Sequence, residues 1–337
     1  MIYPLFLQKN DLIGLPAPSN GMKEEDKEKF ENAIKKLKKK GFSFEISKNA
    51  FVSDEYVSGT AKERANEFSS MWQNEKIKGL ISLAGGEFML EILPYLQQQE
   101  LFNATPKWFQ GFSDNTILTH YLLTNLDVAS IYHYNFKTFG QKNWHKSVFD
   151  SFDCLNGKKL CFNSYKKFQD KRDENSKPLA GFNLTKKVKW EIISGQKTVY
   201  FQGRAVGGCL DILLMYLGTK YDKTQEFLQK YQKDGFVWFL ESCDLDARAT
   251  KRALWQLKEN NWFKHVKGFV FGRPLMGESC EELTSKSAIL SILKEFNVPI
   301  IINSDLGHKP PTIPTIMGSL SKVECDGKKA KVEFLLS

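Results

Sequence analysis

Through the first 125 residues, short apolar runs alternate with amphipathic stretches of helical period, and this alternation limits the fold more than any other feature of the chain. Asp11-Leu12-Ile13-Gly14-Leu15 reads as a strand that ends in the loop Pro16-Ala17-Pro18-Ser19-Asn20-Gly21. A helix with the apolar stripe Phe30, Ala33, Ile34 and Leu37 follows, then the strand Gly41–Ile46. The same rhythm gives a helix from Thr60 to Asn74, a buried strand Lys78–Leu83 closed by Ala84-Gly85-Gly86, and a helix from Glu87 to about Gln97. The strand Lys107–Phe112 leads into a helix from Asp114 to Asn125. Parallel strands need crossovers of helical length, so the pattern predicts a doubly wound, mostly parallel sheet.

Between about 140 and 185 the rhythm dissolves into polar sequence such as Gln169-Asp170-Lys171-Arg172-Asp173-Glu174, which reads as a linker or an inserted excursion. It resumes with a helix over Gly207–Leu217, the buried strand Phe236–Leu240, a helix over Ala247–Glu259 and the strand Gly268–Phe271. A helix over Leu283–Phe296, the strand Pro299–Ile302 and a hairpin through Asp326-Gly327 complete the chain. The expected organisation is α/β throughout: an N-terminal α/β domain over 1–140, the excursion 141–185, and a smaller C-terminal α/β domain over 186–337. The length of 337 residues suits two domains.

Apolar residues at 42% and charged residues at 26% allow a sizeable core. The net charge of +9 is carried by 42 lysines and only six arginines, Arg64, Arg172, Arg204, Arg248, Arg252 and Arg273. Nucleic-acid recognition favours the arginine fork, so nucleic acid is not an expected partner. The run Lys35-Lys36-Leu37-Lys38-Lys39-Lys40 reads as the solvated face and cationic C-terminus of a helix. No stretch nears the ~18 apolar residues of a membrane span, and Met1–Lys9 lacks the features of a secretion signal. A cytoplasmic protein with reduced thiols is the expectation. The six cysteines and five histidines show no paired ligand spacing, so neither a metal nor another cofactor is expected.

Four local features could carry chemistry. In Gln110-Gly111-Phe112-Ser113-Asp114-Asn115-Thr116 a buried strand turns through serine directly into a helix. Such a turn exposes the hydroxyl and aims the next backbone N–H at the same space, although a serine or aspartate there also serves as a plain helix cap. Glu241 ends the strand Phe236–Leu240, at the edge where open α/β sheets place their sites. His308 stands in the fixed loop Asp305-Leu306-Gly307-His308-Lys309-Pro310-Pro311, which suits a general base, and His133 among aromatics is its competitor. Gly85-Gly86 lets backbone amides approach a substrate oxygen, or is simply a turn.

In order along the chain, these segments resemble the LD-carboxypeptidase family of serine peptidases, which includes the microcin C immunity proteins. The matching pieces are Asp11-Leu12-Ile13 with Ala17-Pro18-Ser19, Ala84-Gly85-Gly86, Gly111–Thr116, Gly203-Arg204-Ala205-Val206-Gly207-Gly208 with Leu217-Gly218-Thr219, Phe239-Leu240-Glu241, and Gly307-His308. The resemblance implies a Ser-Glu-His triad of Ser113, Glu241 and His308 at the junction of two α/β domains. It also implies oxyanion donors at the amides of Gly86 and Asp114, and a homodimer. Tyr134-Asn135 stands where family members commonly carry Gly-Pro, which bears on the pocket wall. The wide Ser113-to-Glu241 separation is closer to the immunity branch. There a tryptophan stacks on the adenine of a peptidyl-adenylate, and Trp190 is the candidate; a packed aromatic is the alternative. Arg248 and Arg252 are candidates for holding a substrate anion.

Three functions follow as expectations. The first is a carboxypeptidase that removes a terminal D-amino acid from a muropeptide. The second is a hydrolase of aminoacyl- or peptidyl-nucleotides. The third is an inactive binding protein on the same fold, which would have no need of serine, glutamate and histidine together.

Overall fold

A computed structural model describes residues 1–96, 98–171, 177–277, 279–280 and 282–337. The chain divides into two units, Met1–Lys159 with Asp173–Gly181, and Leu160–Arg172 with Phe182–Ser337.

In the first unit β1 (Leu12–Leu15) leads through α1 (Lys27–Lys39) to β2 (Ser43–Ile46), and α2 (Ala61–Gln73) leads to β3 (Ile77–Ile81). The short α3 (Gln98–Asn103) precedes β4 (Trp108–Gly111), and α4 (Thr116–Leu126) precedes β5 (Ser130–Tyr132). These five strands pair in parallel in the order β2-β1-β3-β4-β5. The order reverses between β1 and β3, and in such sheets ligands bind beyond the carboxyl ends of the strands at that switch point. Ile13, Leu15, Leu80, Ile81, Trp108 and Phe109 are buried, as a sheet covered on both faces requires.

Local chemistry sets the element ends. Thr60 and Glu63 form a reciprocal capping box at the start of α2, the boundary expected from sequence. Helix α1 buries Phe30, Ala33 and Leu37 and leaves Lys35, Lys38, Lys39 and Lys40 exposed, so its lysine run is a solvated face. The helix expected from Glu87 to Gln97 is instead a 3-10 segment, Met89–Tyr95, because Pro94 cannot supply an α-helical N–H. Gln97 lies outside the described residues. Arg64 is buried and donates to the carbonyls of Pro18, Gly59 and Phe88 and to Glu91, so it ties the loop after β1 to that segment.

The stretch 141–185, expected as a linker or excursion, is largely structured where described. Helix α5 (Lys146–Leu155) belongs to the first unit and buries Val148, Cys154 and Leu155. Its apolar residues are interleaved with charge, which obscured the period in the sequence. Residues 172–176 lie outside the described residues.

The second unit opens with β6 (Cys161–Asn163), the ladder of β7 (Lys167–Phe168) with β8 (Lys186–Lys187), and β9 (Glu191–Ile192). Then come β10 (Val199–Cys209), α6 (Leu210–Tyr216), α7 (Thr224–Lys230), β11 (Phe236–Glu241), α8 (Ala247–Glu259) and β12 (Val266–Gly272). The small hairpin β13 (Ser279–Cys280) and β14 (Leu283–Thr284), then α9 (Ser285–Leu293), precede β15 (Ile300–Ser304). The chain ends with β16 (Thr315–Met317), β17 (Leu320–Cys325) and β18 (Ala330–Leu335). Strands β10, β11, β12 and β15 pair in parallel, and β17, β18 and β6 extend the β10 edge antiparallel.

The helix expected over Gly207–Leu217 begins only at Leu210. Gly207, Gly208 and Cys209 pair with Phe239, Leu240 and Glu241, and two glycines favour that extended ladder over a helical start. The terminal hairpin turns through Asp326 and Gly327 as expected. Strand β11 is buried along its whole length. Its aromatic side chains each contribute about 2–3 kcal/mol by leaving water. No helix among the described residues is long and apolar enough to cross a membrane.

Candidate active site

In the first unit three loops leave the carboxyl ends of β1, β3 and β4. Ser113 follows β4 with φ +66, a left-handed conformation that costs an L-residue about 1–2 kcal/mol. The surroundings hold it there. Its N–H donates to the Tyr132 hydroxyl at 3.1 Å, and its carbonyl accepts from Thr116 Oγ1 at 2.7 Å. A 3-10 turn, Ser113–Asn115, starts the helix, which continues as the largely buried α4. The side chain of Ser113 is half-buried, and the backbone N–H of Asp114 lies in the first turn, where the helix is electropositive.

The Ala84-Gly85-Gly86 turn packs against this elbow. A Cβ on Gly85 would lie 3.2 Å from Ser113 Cβ, and one on Gly86 would collide with Ser19 Oγ. Only glycine brings this backbone so close. Asp114 is buried, and one carboxylate oxygen accepts from Ser19 Oγ and from the Met89 N–H at 2.9 Å. Burial pushes its pKa up to about 6, against the lowering effect of those two hydrogen bonds. Asn115 Nδ2 donates to the carbonyls of Ala84 and Phe112, both at 3.0 Å, and to Asn135 Oδ1 at 3.3 Å. Asn135 Oδ1 also accepts the Phe112 N–H at 3.2 Å. Asn135 therefore braces the elbow.

In the second unit Glu241 ends β11 and His308 follows β15. The two residues are brought together: His308 Nδ1 lies 2.8 Å from Glu241 Oε2, with the glutamate side chain fully buried and the histidine 8% exposed. Burial by itself lowers the imidazole pKa. The Glu241 carboxylate and a hydrogen bond with the Cys243 thiol outweigh it and push the value up to about 10. Asp211 accepts the N–H groups of Cys243 at 3.1 Å and Asp244 at 2.9 Å, which fixes the loop after Glu241.

Gly307 has φ +90, and a Cβ there would lie 2.5 Å from Glu241 Oε2. Gly307→Ala should therefore lower thermal stability, with about 1–2 kcal/mol from the backbone conformation alone. It should also cut hydrolysis roughly a hundredfold by displacing the dyad. Calorimetry and steady-state kinetics on the same preparation check both.

The other candidates are placed differently. Trp190 is 1% exposed and its indole N–H donates to Asp305 at 3.0 Å, so it is a packed aromatic rather than a free stacking platform. Tertiary packing that no local pattern announces accounts for the difference. Arg248 is committed to Asp246, the cap of its own helix. Arg252 is exposed on α8, in a groove of about 550 Å³ with Lys251, Trp255, Leu283 and Ile292. His133 is buried, its ring 4.0 Å from that of Tyr134. Among the described residues no group of three or more His, Cys, Asp or Glu side chains could hold a metal ion.

Asp211 and Arg273 carried no sign in the sequence of what they brace, because each bonds to residues about thirty positions away. Asn135 and Asp305 stand in segments that the sequence singled out, without a local sign of their partners.

Residues 13–133 match the LD-carboxypeptidase N-terminal domain, and residues 202–323 the LD-carboxypeptidase C-terminal domain. The chain is 24% identical to the microcin C7 self-immunity protein MccF of Escherichia coli, over 97% of this chain and 94% of that protein. It is 22% identical to the "Probable murein peptide carboxypeptidase" of Bacillus subtilis, over 98% of this chain and 94% of that one. Among solved structures, an MccF-like protein from Bacillus anthracis superposes with a TM-score of 0.85 at 23% identity, covering 99% of this chain and all of that one. MccF in complex with aspartyl sulfamoyl adenosine gives 0.82 at 23% identity, covering 99% and 98%. With both characteristic domains matched in order over most of its length, the chain belongs to the LD-carboxypeptidase family.

Proposed function

We propose that the protein is a serine hydrolase that cleaves an acyl bond, acting on muropeptides as an LD-carboxypeptidase. Ser113 is the nucleophile, His308 the base and Glu241 the residue that orients it. The observation that carries this reading is the left-handed φ of Ser113 at a helix start, a strain that a plain helix cap does not need. The buried Glu241–His308 contact supports it from the second unit.

In this mechanism the Glu241 carboxylate accepts the Nδ1–H of His308, which makes Nε2 the nitrogen that removes the Ser113 proton. The serine oxygen attacks the scissile carbonyl, and the negative charge that develops falls on the N–H groups of Asp114 and Gly86. One such donor is worth about 10²–10³ in rate. His308 then protonates the leaving amine, and water cleaves the acyl-enzyme by the same path in reverse. A homodimer is part of this reading, carried by the family resemblance.

A second substrate class, the aminoacyl- or peptidyl-nucleotides, is favoured by the likeness to MccF, whose solved structure holds aspartyl sulfamoyl adenosine. Trp190 lends it no support, because its indole is buried and bonded to Asp305. Hydrolysis of an L,D-linked murein tetrapeptide and of an aminoacyl nucleotide, measured side by side, decides between them. We expect release of the terminal D-amino acid at the higher kcat/KM. Preferential release of the nucleotide would move the assignment to the second class.

A further inference from the structure

We propose that Arg273 is a positioning residue for His308, acting through a buried clamp on the loop that carries the imidazole. The inference deepens the hydrolase reading and rests on its assignment of His308 as the base.

Arg273 directly follows β12 and is 3% exposed. One terminal nitrogen donates to the Asn303 carbonyl at 3.1 Å and to Asp305 Oδ1 at 2.9 Å. The other donates to the carbonyls of Lys309 at 3.0 Å and Pro311 at 3.2 Å. The four acceptors stand on both sides of His308 in sequence. One planar group therefore fixes the incoming and outgoing arms of the loop at once, a task suited to the guanidinium fork and beyond a lysine.

Asp305 is itself fixed from outside the loop. Its second oxygen accepts the Tyr165 N–H at 2.8 Å and the Trp190 indole N–H at 3.0 Å. The Phe168 ring packs against the Arg273 guanidinium at 4.5 Å, and Lys309 Nζ reaches Asp170 at 3.2 Å. Residues 165–170, drawn from sequence that looks like an excursion, thus form the outer support of the loop together with Trp190. Stability alone is a weak reason for such an arrangement, since well-packed apolar residues commonly replace a buried ion pair at no cost. Fixing one geometry is what a pair bonded to several partners does well.

Arg273→Lys keeps the charge but cannot span four acceptors. Two quantities are read: steady-state kinetics, and the downfield proton resonance of His308 Nδ1–H in its hydrogen bond to Glu241. The expected result is a kcat lower by roughly ten- to a hundredfold with KM within about twofold, accompanied by a shifted or exchange-broadened resonance. A folded variant with wild-type kcat and an unchanged resonance would overturn the proposal, because a merely structural role lowers the melting temperature and moves neither.

If Arg273→Lys does not fold, Trp190→Phe removes a single donor to Asp305 and decides the matter. A reduced kcat with an altered resonance supports the clamp, and no change in either overturns it. Full activity in Ser113→Ala would sink the hydrolase reading instead, while the resonance would still test the clamp by itself.

Discussion

Ser113→Ala should lower kcat/KM for the preferred acyl substrate by about 10⁴ or more while leaving the fold intact. The substitution removes a single atom from a half-buried side chain and keeps the backbone contacts of the elbow, namely the bond from its N–H to Tyr132 and that from Thr116 to its carbonyl. Stability should therefore barely move. Ser113→Gly sharpens the point. Glycine adopts φ +66 without the steric cost that serine bears. That variant should be at least as stable as the wild type and equally inactive, the signature of strain maintained for function. Circular dichroism melts alongside progress curves check both statements. A Ser113→Ala enzyme with full activity would mean that the elbow is only a helix start.

Glu241→Gln should cost a comparable factor, about 10⁴, because the amide can hold the imidazole in the wrong tautomer while filling the same space. Its pH profile carries a second, independent sign. In the wild type the buried carboxylate stabilises the imidazolium against the opposing effect of burial, so His308 keeps its proton well above the ordinary value of 6.5. The base form appears only as that proton leaves, so wild-type kcat/KM should rise with pH into the alkaline range. Without the carboxylate charge, burial dominates and the rising limb of the residual activity should move to lower pH.

Stability follows the same linkage. A histidine whose folded pKa is raised contributes stability that is fully present below its unfolded pKa near 6.5 and is lost as pH rises through about 10. The wild type should therefore lose stability across that window more steeply than Glu241→Gln. A rising limb at the same pH in both proteins would contradict this account of the dyad.

What the sequence disclosed depended on how local the cause was. The apolar strands before Ser113 and Glu241 and the glycine beside His308 are local, and they place those residues at the carboxyl ends of strands. The capping box at Thr60 is likewise contained in four residues. Pro94 was visible too, and its effect on the segment after β3 could have been drawn from its missing N–H. Helix α5 was hidden because its stabilising face is set by tertiary burial of Val148, Cys154 and Leu155 rather than by a clean period.

The supports of the site were hidden for a related reason. Asp114 reads as a helix cap, yet its carboxylate reaches back to Ser19 and forward to Met89. Arg273 and Trp190 meet at Asp305 from distant positions along the chain. A hydrogen bond between residues so far apart has no local composition to betray it. Trp190 shows the hazard of assigning an aromatic by analogy, since the same residue type suits an adenine platform and a packed interior.

Reaction of the protein with a fluorophosphonate probe, followed by peptide mapping, asks most directly whether the hydroxyl at 113 is served by the imidazole at 308. One modified residue is expected, Ser113, with a labelling rate that falls by roughly three orders of magnitude or more in both His308→Gln and Glu241→Gln. Labelling that proceeds at the wild-type rate in those two variants, or that maps to another residue, would contradict the triad.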